Sequence, residues 1–318
     1  METSFILGPQ DDVLGIRLHV DDVAKTDAKE VSKLIAEFGL VIMKKTKTPQ
    51  KDYYQWQLEL GYHQPAEIWC NDPEMPIFFL VTNRQITKKE MGLFGHGELD
   101  WHCNILFNPD GEEIVGLYGN VVQPGCDTIL ANSIPLWKNL PDYMKDYYSE
   151  LQLKTTNVMA DTYENKLAHY VLPSAEQADF NKKRAKLSVE RAINFDTANI
   201  GKYPQPRFSK ENLLKFVPKH PLGTEGIYFP HLNLSCFTDE NGKQLVDHKQ
   251  VYQEFKYNYI DSGRYVYSHA WEEGDVYLMD QLTTIHKRSM MNKDLPRELL
   301  RTACWYKTDV RKHFEQSL

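Results

Sequence analysis

The sequence predicts a mainly β fold with helices: a double-stranded β-helix, or jelly-roll, core carrying a helical insertion. Three observations point there. Many short segments rich in aromatic and β-branched residues are separated by turn signals, the chain opens with a helix followed by a strand, and residues 139–198 have a different, helical texture. Many short strands around one helical block suit a closed or double-sheet architecture, which limits exposed edges and leaves a mouth where a ligand can sit.

Asp27 followed three residues later by Glu30 is a capping box, and Val31, Leu34, Ile35 and Phe38 follow at helical spacing before Gly39, so a helix is expected over 28–38. Leu40 to Lys45 then reads as a strand. From Trp101 to Ala131 the pattern alternates, with an Asn-Pro-Asp-Gly turn beginning at Asn108 and the segment from Val115 to Val122 as the return strand. Within the insertion, Tyr143 to Leu151 and Ala175 to Arg191 carry apolar stripes flanked by charge, and the block is expected to act as a lid. After Tyr228 short aromatic segments return, with strands expected at Arg264–Trp271, Asp275–Met279 and Arg301–Tyr306.

The chain has 318 residues, 42% of them hydrophobic, with no linker-like or repeated stretch, so one domain over 1–318 is expected. A net charge of −7 disfavours nucleic acid, and the basic cluster at Lys44, Lys45, Lys47 and Lys51 lacks interleaved aromatics and reads as a solvated loop. The acidic N-terminus lacks an apolar targeting region, and no apolar run approaches the ~18 residues of a membrane span, so the expectation is a cytoplasmic protein without membrane contact. The five cysteines, Cys70, Cys103, Cys126, Cys236 and Cys304, form no C-x-x-C pair and are expected to be free thiols in a reducing compartment. No motif specifies an oligomeric state.

Two histidines stand out. His102 closes the early run Gly-Glu-Leu-Asp-Trp-His and is followed by Cys103 and Asn104, whereas His286 closes a late run that starts at Gly274 and precedes Arg297 and Arg301. Two histidines and one carboxylate form the donor set of a mononuclear non-haem iron with open positions. The usual carboxylate lies two residues after the first histidine, and here that residue is Asn104. Cys103 would alternate away from such a site along a strand. His96 with Glu98, and Asp100 as a displaced carboxylate, are the competing placements, while His63, His231 and His269 read as satisfied structural histidines.

These runs resemble the taurine dioxygenase family of iron and 2-oxoglutarate oxygenases, in order and over nearly the whole chain. Ala36 to Lys44 is similar to its opening element and Gln57 to Gly61 to the following helix end. Trp101-His102-Cys103-Asn104 is similar to its Trp-His-Thr-Asp motif, Pro124 to Thr128 to its Gly-Gly-Asp-Thr segment, and His220-Pro221 and Gly274-Asp275 to later landmarks. Arg297 and Arg301 follow His286 by 11 and 15 positions, which is the family's arrangement. The resemblance implies Fe(II) held by His102, His286 and, at the third position, Asn104. It implies 2-oxoglutarate held by Thr128 and Arg297, whose planar fork suits a carboxylate, and an anionic substrate held by Arg301 and the segment around Asn83.

The implied reaction consumes dioxygen and removes hydrogen from an unactivated C–H of a small anionic, amino acid-like molecule. Hydroxylation is the default outcome, and oxidative ring closure of the kainoid synthase type is the variant. Three readings of Asn104 stay open: an amide ligand, an open position as in related halogenases, or the replacement of a natural Asp. The rival classes are a non-catalytic jelly roll that senses 2-oxoglutarate or another metabolite, and a metal-dependent isomerase of similar fold. The latter would need neither Thr128 nor Arg297.

Overall fold

The structure is a computed structural model that describes residues 2–63, 72, 74–84, 97–104, 112–156, 211–231 and 234–310. The turn at Asn108, the helix expected over Ala175 to Arg191, most of the insertion, and His96 and Cys70 lie outside the described residues.

In chain order the elements are β1 (Thr3–Leu7), β2 (Val13–Leu18), α1 (Ala28–Phe38), β3 (Leu40–Met43), α2 (Gln50–Leu60), β4 (Gly61–His63), β5 (Phe79–Thr82) and β6 (Leu99–His102). There follow β7 (Ile114–Val121), β8 (Thr128–Asn132), α3 (Ser133–Asn139), α4 (Asp142–Glu150), β9 (Gln152–Thr156), β10 (Glu211–Lys215) and β11 (Leu234–Thr238). The chain continues with α5 (His248–Lys256), β12 (Val266–His269), β13 (Val276–Asp280), β14 (Thr284–Arg288) and β15 (Glu298–Tyr306). The order in the large sheet is β1-β2-β3-β13-β7-β15-β4 with β5 also on β15, in the small sheet β12-β8-β14-β6, and in a third sheet β10-β9-β11.

The period of two in the strands sorts their side chains into two cores. Leu40, Ile42, Val115, Leu117, Tyr277 and Met279 of the large sheet join the core that includes Leu130 and Ile285 of the small sheet. Their neighbours Val41, Met43, Ile114, Tyr118, Val276 and Leu278 face the other way, into a core with Val31 and Ile35 of α1 and Tyr53 and Trp56 of α2. A large sheet covered on one face by helices and on the other by a second sheet is the predicted jelly-roll architecture.

The local expectations for α1 are met. Asp27 Oδ1 accepts from the backbone N–H groups of Lys29 and Glu30 at 2.9 and 3.4 Å. Gly39 ends the helix at φ 73, where a Cβ would also lie 2.6 Å from Asn132 Nδ2. The strands β3, β12, β13 and β15 and the helix α4 fall where they are expected. One pairing differs. β7 forms, but it joins β13 and β15 in the large sheet, while β6 joins β14 in the small one. Ile114 to Gly119 are buried without a break, and a strand apolar on both faces needs the centre of a covered sheet. No helix among the described residues is long and apolar enough to cross a membrane.

Candidate active site

His102 ends β6 and His286 lies directly opposite it in the middle of β14. Directly paired antiparallel residues point to the same face, and the two imidazoles have ring centroids 4.3 Å apart. His102 Nδ1–H donates to the Asp100 carbonyl at 2.7 Å. That fixes the tautomer with the lone pair on Nε2, as second-shell hydrogen bonds do for metal-binding histidines. His286 Nδ1 is buried with no hydrogen-bond partner. Burial, then the nearby His102 and Arg301, push the His286 pKa well below the ordinary histidine value, so the ring is held neutral.

The two rings open into a cavity of about 40 Å³ between the large and small sheets. Of the seven residues selected from sequence, six line it: His102, Asn104, Thr128, His286, Arg297 and Arg301. Asn83 does not. Its Oδ1 accepts from Arg297 N–H at 2.9 Å and its Nδ2 donates to the Leu295 carbonyl at 2.7 Å, so it braces the backbone that carries Arg297. A larger open depression of about 640 Å³ beside α1 and α2 contains none of the seven.

The two arginines differ in state. Arg297 is 2% exposed, its Nη1 has no partner, and no ion pair to it occurs among the described residues. Burial lowers its pKa, and Cys126 opposes that shift. An arginine keeps its charge even so, and a buried unpaired guanidinium favours an incoming carboxylate. Arg301 is already paired with buried Glu112 and stacks over Phe79, with Cζ 5.3 Å from the ring centroid. Burial raises the Glu112 pKa, while Arg301 works to lower it.

Thr128 sits opposite His269 on β12 and Arg288 on β14, and its Oγ1 accepts from Trp271 Nε1 at 3.0 Å. Its own hydroxyl proton has no acceptor among the described residues and can be donated to a ligand. Cys103 is buried in the core with Sγ near the Phe229 and Thr284 carbonyls, and burial raises its pKa, so it is an inert thiol. Asp100 stays outside the cavity lining, its Oδ1 accepting from the following Trp101 N–H. No cluster of three or more His, Cys, Asp or Glu suited to a metal occurs among the described residues.

The sequence matches the family model described as "Taurine catabolism dioxygenase TauD, TfdA family" over residues 7–303. The chain belongs to that family. It is an Fe(II)- and 2-oxoglutarate-dependent dioxygenase. Pentalenolactone F synthase of Streptomyces arenae is 19% identical over 277 residues, covering 84% of this chain and 82% of the relative. Among solved structures, AAD-2 in complex with Mn(II) and N-oxalylglycine superposes with TM-score 0.65 at 14% identity, covering 96% of this chain and 98% of that one. A taurine dioxygenase from Burkholderia xenovorans gives 0.62 at 12% identity, with coverage of 92% and 86%. At these identities the structural likeness speaks for the fold.

The donors here fit the family's metal on two sides, through one imidazole with a fixed tautomer and another with an unmatched buried nitrogen. Asn104, which lines the same cavity, carries a neutral amide where the family's motif has a carboxylate. Sequence reading overlooked three residues around the site. Arg288, two positions after His286, also lines the cavity, and strand alternation could have flagged it. Glu112 and Gln281 act through tertiary contacts that no local pattern signals.

Proposed function

We propose that this dioxygenase removes hydrogen from an unactivated C–H of a small anionic, amino acid-like substrate, giving hydroxylation or a kainoid-type oxidative ring closure. The observation that carries the reading is the shared cavity of His102, His286, Thr128, Arg297 and Arg301, with the unmatched Nη1 of Arg297 buried at one wall.

Bound iron with 2-oxoglutarate supplies the oxidising chemistry, in which dioxygen and the keto acid yield succinate and carbon dioxide. The remaining oxygen atom goes into the product on hydroxylation, or leaves as water when a ring closes. The protein residues orient and shield. His102 and His286 would hold the metal, and Arg297 would take the distal carboxylate of 2-oxoglutarate in a bidentate grip. Thr128 would add a hydroxyl donor to the same molecule. Val81, Val115, Leu117 and Leu299 form apolar walls that keep water from the reacting centre. Arg301, already paired with Glu112, would share its guanidinium between Glu112 and the anionic group of the substrate. The 139–198 block, as a lid over one 1–318 domain, belongs to the same reading.

Succinate release is the test, measured with Fe(II), 2-oxoglutarate and a panel of acidic and N-alkylated amino acids. Mass spectrometry separates a product with one added oxygen from one that has lost two hydrogens. Turnover without 2-oxoglutarate, or unchanged by a chelator, would overturn the reading.

A further inference from the structure

Resting on the reading of His102 and His286 as an iron site, we infer that Gln281 is a positioning residue that presents the Asn104 amide oxygen as a third, neutral donor. The site is then built for an amide at position 104 and is not a damaged carboxylate site.

Gln281 sits in the turn between β13 and β14, is 2% exposed, and donates its own N–H to the Glu113 carbonyl at 2.8 Å. Its Oε1 accepts twice from one residue, from Asn104 N–H at 3.0 Å and from Asn104 Nδ2 at 3.2 Å. The orientation of side-chain amides is ordinarily an assignment, but a backbone N–H can only donate. It requires Gln281 to turn its oxygen, not its nitrogen, toward residue 104. Any side-chain atom of residue 104 beside that oxygen must then also be a donor. Asn meets this condition with Nδ2, which leaves Oδ1 as the side-chain atom with no hydrogen bond among the described residues, on a residue that lines the cavity with both histidines.

An ionised Asp in the same place would set a carboxylate oxygen against Gln281 Oε1. Turning the Gln281 amide over would relieve that contact and lose the bond to Asn104 N–H. Gln281 Nε2 is itself buried without a partner, so the present orientation prevails although it leaves one donor unmatched. The turn leaves little room for escape. The preceding Asp280 carboxylate accepts from Leu282 N–H, Thr283 N–H and the Thr283 hydroxyl, each at 2.9 Å, and from His220 Nε2 and Tyr306 Oη at 2.9 and 2.6 Å. Two neutral imidazoles and an amide would hold Fe(II) with no negative charge from the protein. The 2-oxoglutarate carboxylate would then be the first anion to reach the metal, and metal and co-substrate should bind cooperatively.

The test is a double-mutant cycle over Asn104→Asp and Gln281→Leu, read by anaerobic Co(II) titration through ligand-field absorption, with and without 2-oxoglutarate. Thermal unfolding of each metal-free form checks that it folds. Gln281→Leu alone should weaken Co(II) binding roughly 10- to 100-fold, the usual effect of losing an outer-shell partner, whereas Gln281→Glu, which still accepts from both N–H groups, should retain it. Asn104→Asp should gain clearly more Co(II) affinity in the Gln281→Leu background than in the wild type, and 2-oxoglutarate should tighten Co(II) most where residue 104 is Asn. An equal gain from Asn104→Asp in both backgrounds overturns the role of Gln281. Failure of every form, wild type included, to bind Co(II) or Fe(II) overturns the iron reading itself.

Discussion

The entrance to β14 and its middle treat polar atoms in opposite ways. At its entrance, the Asp280 carboxylate is saturated by backbone, hydroxyl, imidazole and phenol donors, and His220 completes the knot by accepting Leu222 N–H on Nδ1 at 3.1 Å. Further along, His286 Nδ1 and, across the cavity, Arg297 Nη1 are buried and unmatched. Leaving such groups unpaired costs about 1–3 kcal/mol each, more when charged. The contrast separates holding from binding. The entrance fixes the shape of the strand, and the cavity keeps donors in reserve for molecules that arrive later. Stability and activity should therefore respond to different residues.

The largest expected effect tests the holding side. Asp280→Ala should lower unfolding free energy by about 3–5 kcal/mol, the penalty for stranding the partners of a buried carboxylate, and urea denaturation measures it. A loss under about 1 kcal/mol would mean the knot does not hold the strand. On the binding side, His286→Gln should cut turnover at least ~100-fold, the upper range even for an outer-shell change. It should leave the metal-free unfolding midpoint nearly unchanged, since the lost Nδ1 had no partner. A parallel fall in stability would break the contrast.

Asp275 extends the holding side to a second corner. Burial raises its pKa, but His269, Lys44 and backbone donors outweigh that and hold it below the ordinary carboxylate value. Its contribution is therefore present above the unfolded-state value of ~3.9 and lost as pH falls through the lower folded-state value. Asp275→Asn should remove about 2 kcal/mol near neutral pH and flatten the acid limb of the stability curve. A wild-type slope in the variant would assign that limb elsewhere. The smallest change expected is Arg297→Lys, raising KM for 2-oxoglutarate about 10-fold as a point charge replaces a fork, with stability unaltered. An unchanged KM would move the co-substrate to Arg288.

Much of this was legible beforehand because it is written in local periodicity and spacing. α1 and its caps follow from Asp27, Glu30 and Gly39, and β13 and β15 from their aromatic and branched runs. The cavity residues were found through the likeness of their runs to the taurine dioxygenase family, and the register of β6 on β14 brings two of them, His102 and His286, opposite each other. What local pattern could not show is partnership across the fold. Nothing near Arg301 announces Glu112, nothing near Asn104 announces Gln281, and β7 reads equally well as half of a hairpin or as the centre of a covered sheet. For Asn83 the resemblance implies a place near the substrate, and no local pattern announces its two hydrogen bonds to the backbone at Arg297 and Leu295.

Among the described strands β6 is the outermost of the small sheet and pairs with β14 alone. Edge strands fray most readily, and His102 is the last residue of this one. A divalent ion shared by His102 and His286 would staple β6 to β14, and by mass action would stabilise only chains in which β6 has already docked. Amide exchange at Trp101 and His102 should slow on addition of metal more than exchange in β13. The ion would then serve as a final fastening of the fold as well as the centre of its chemistry.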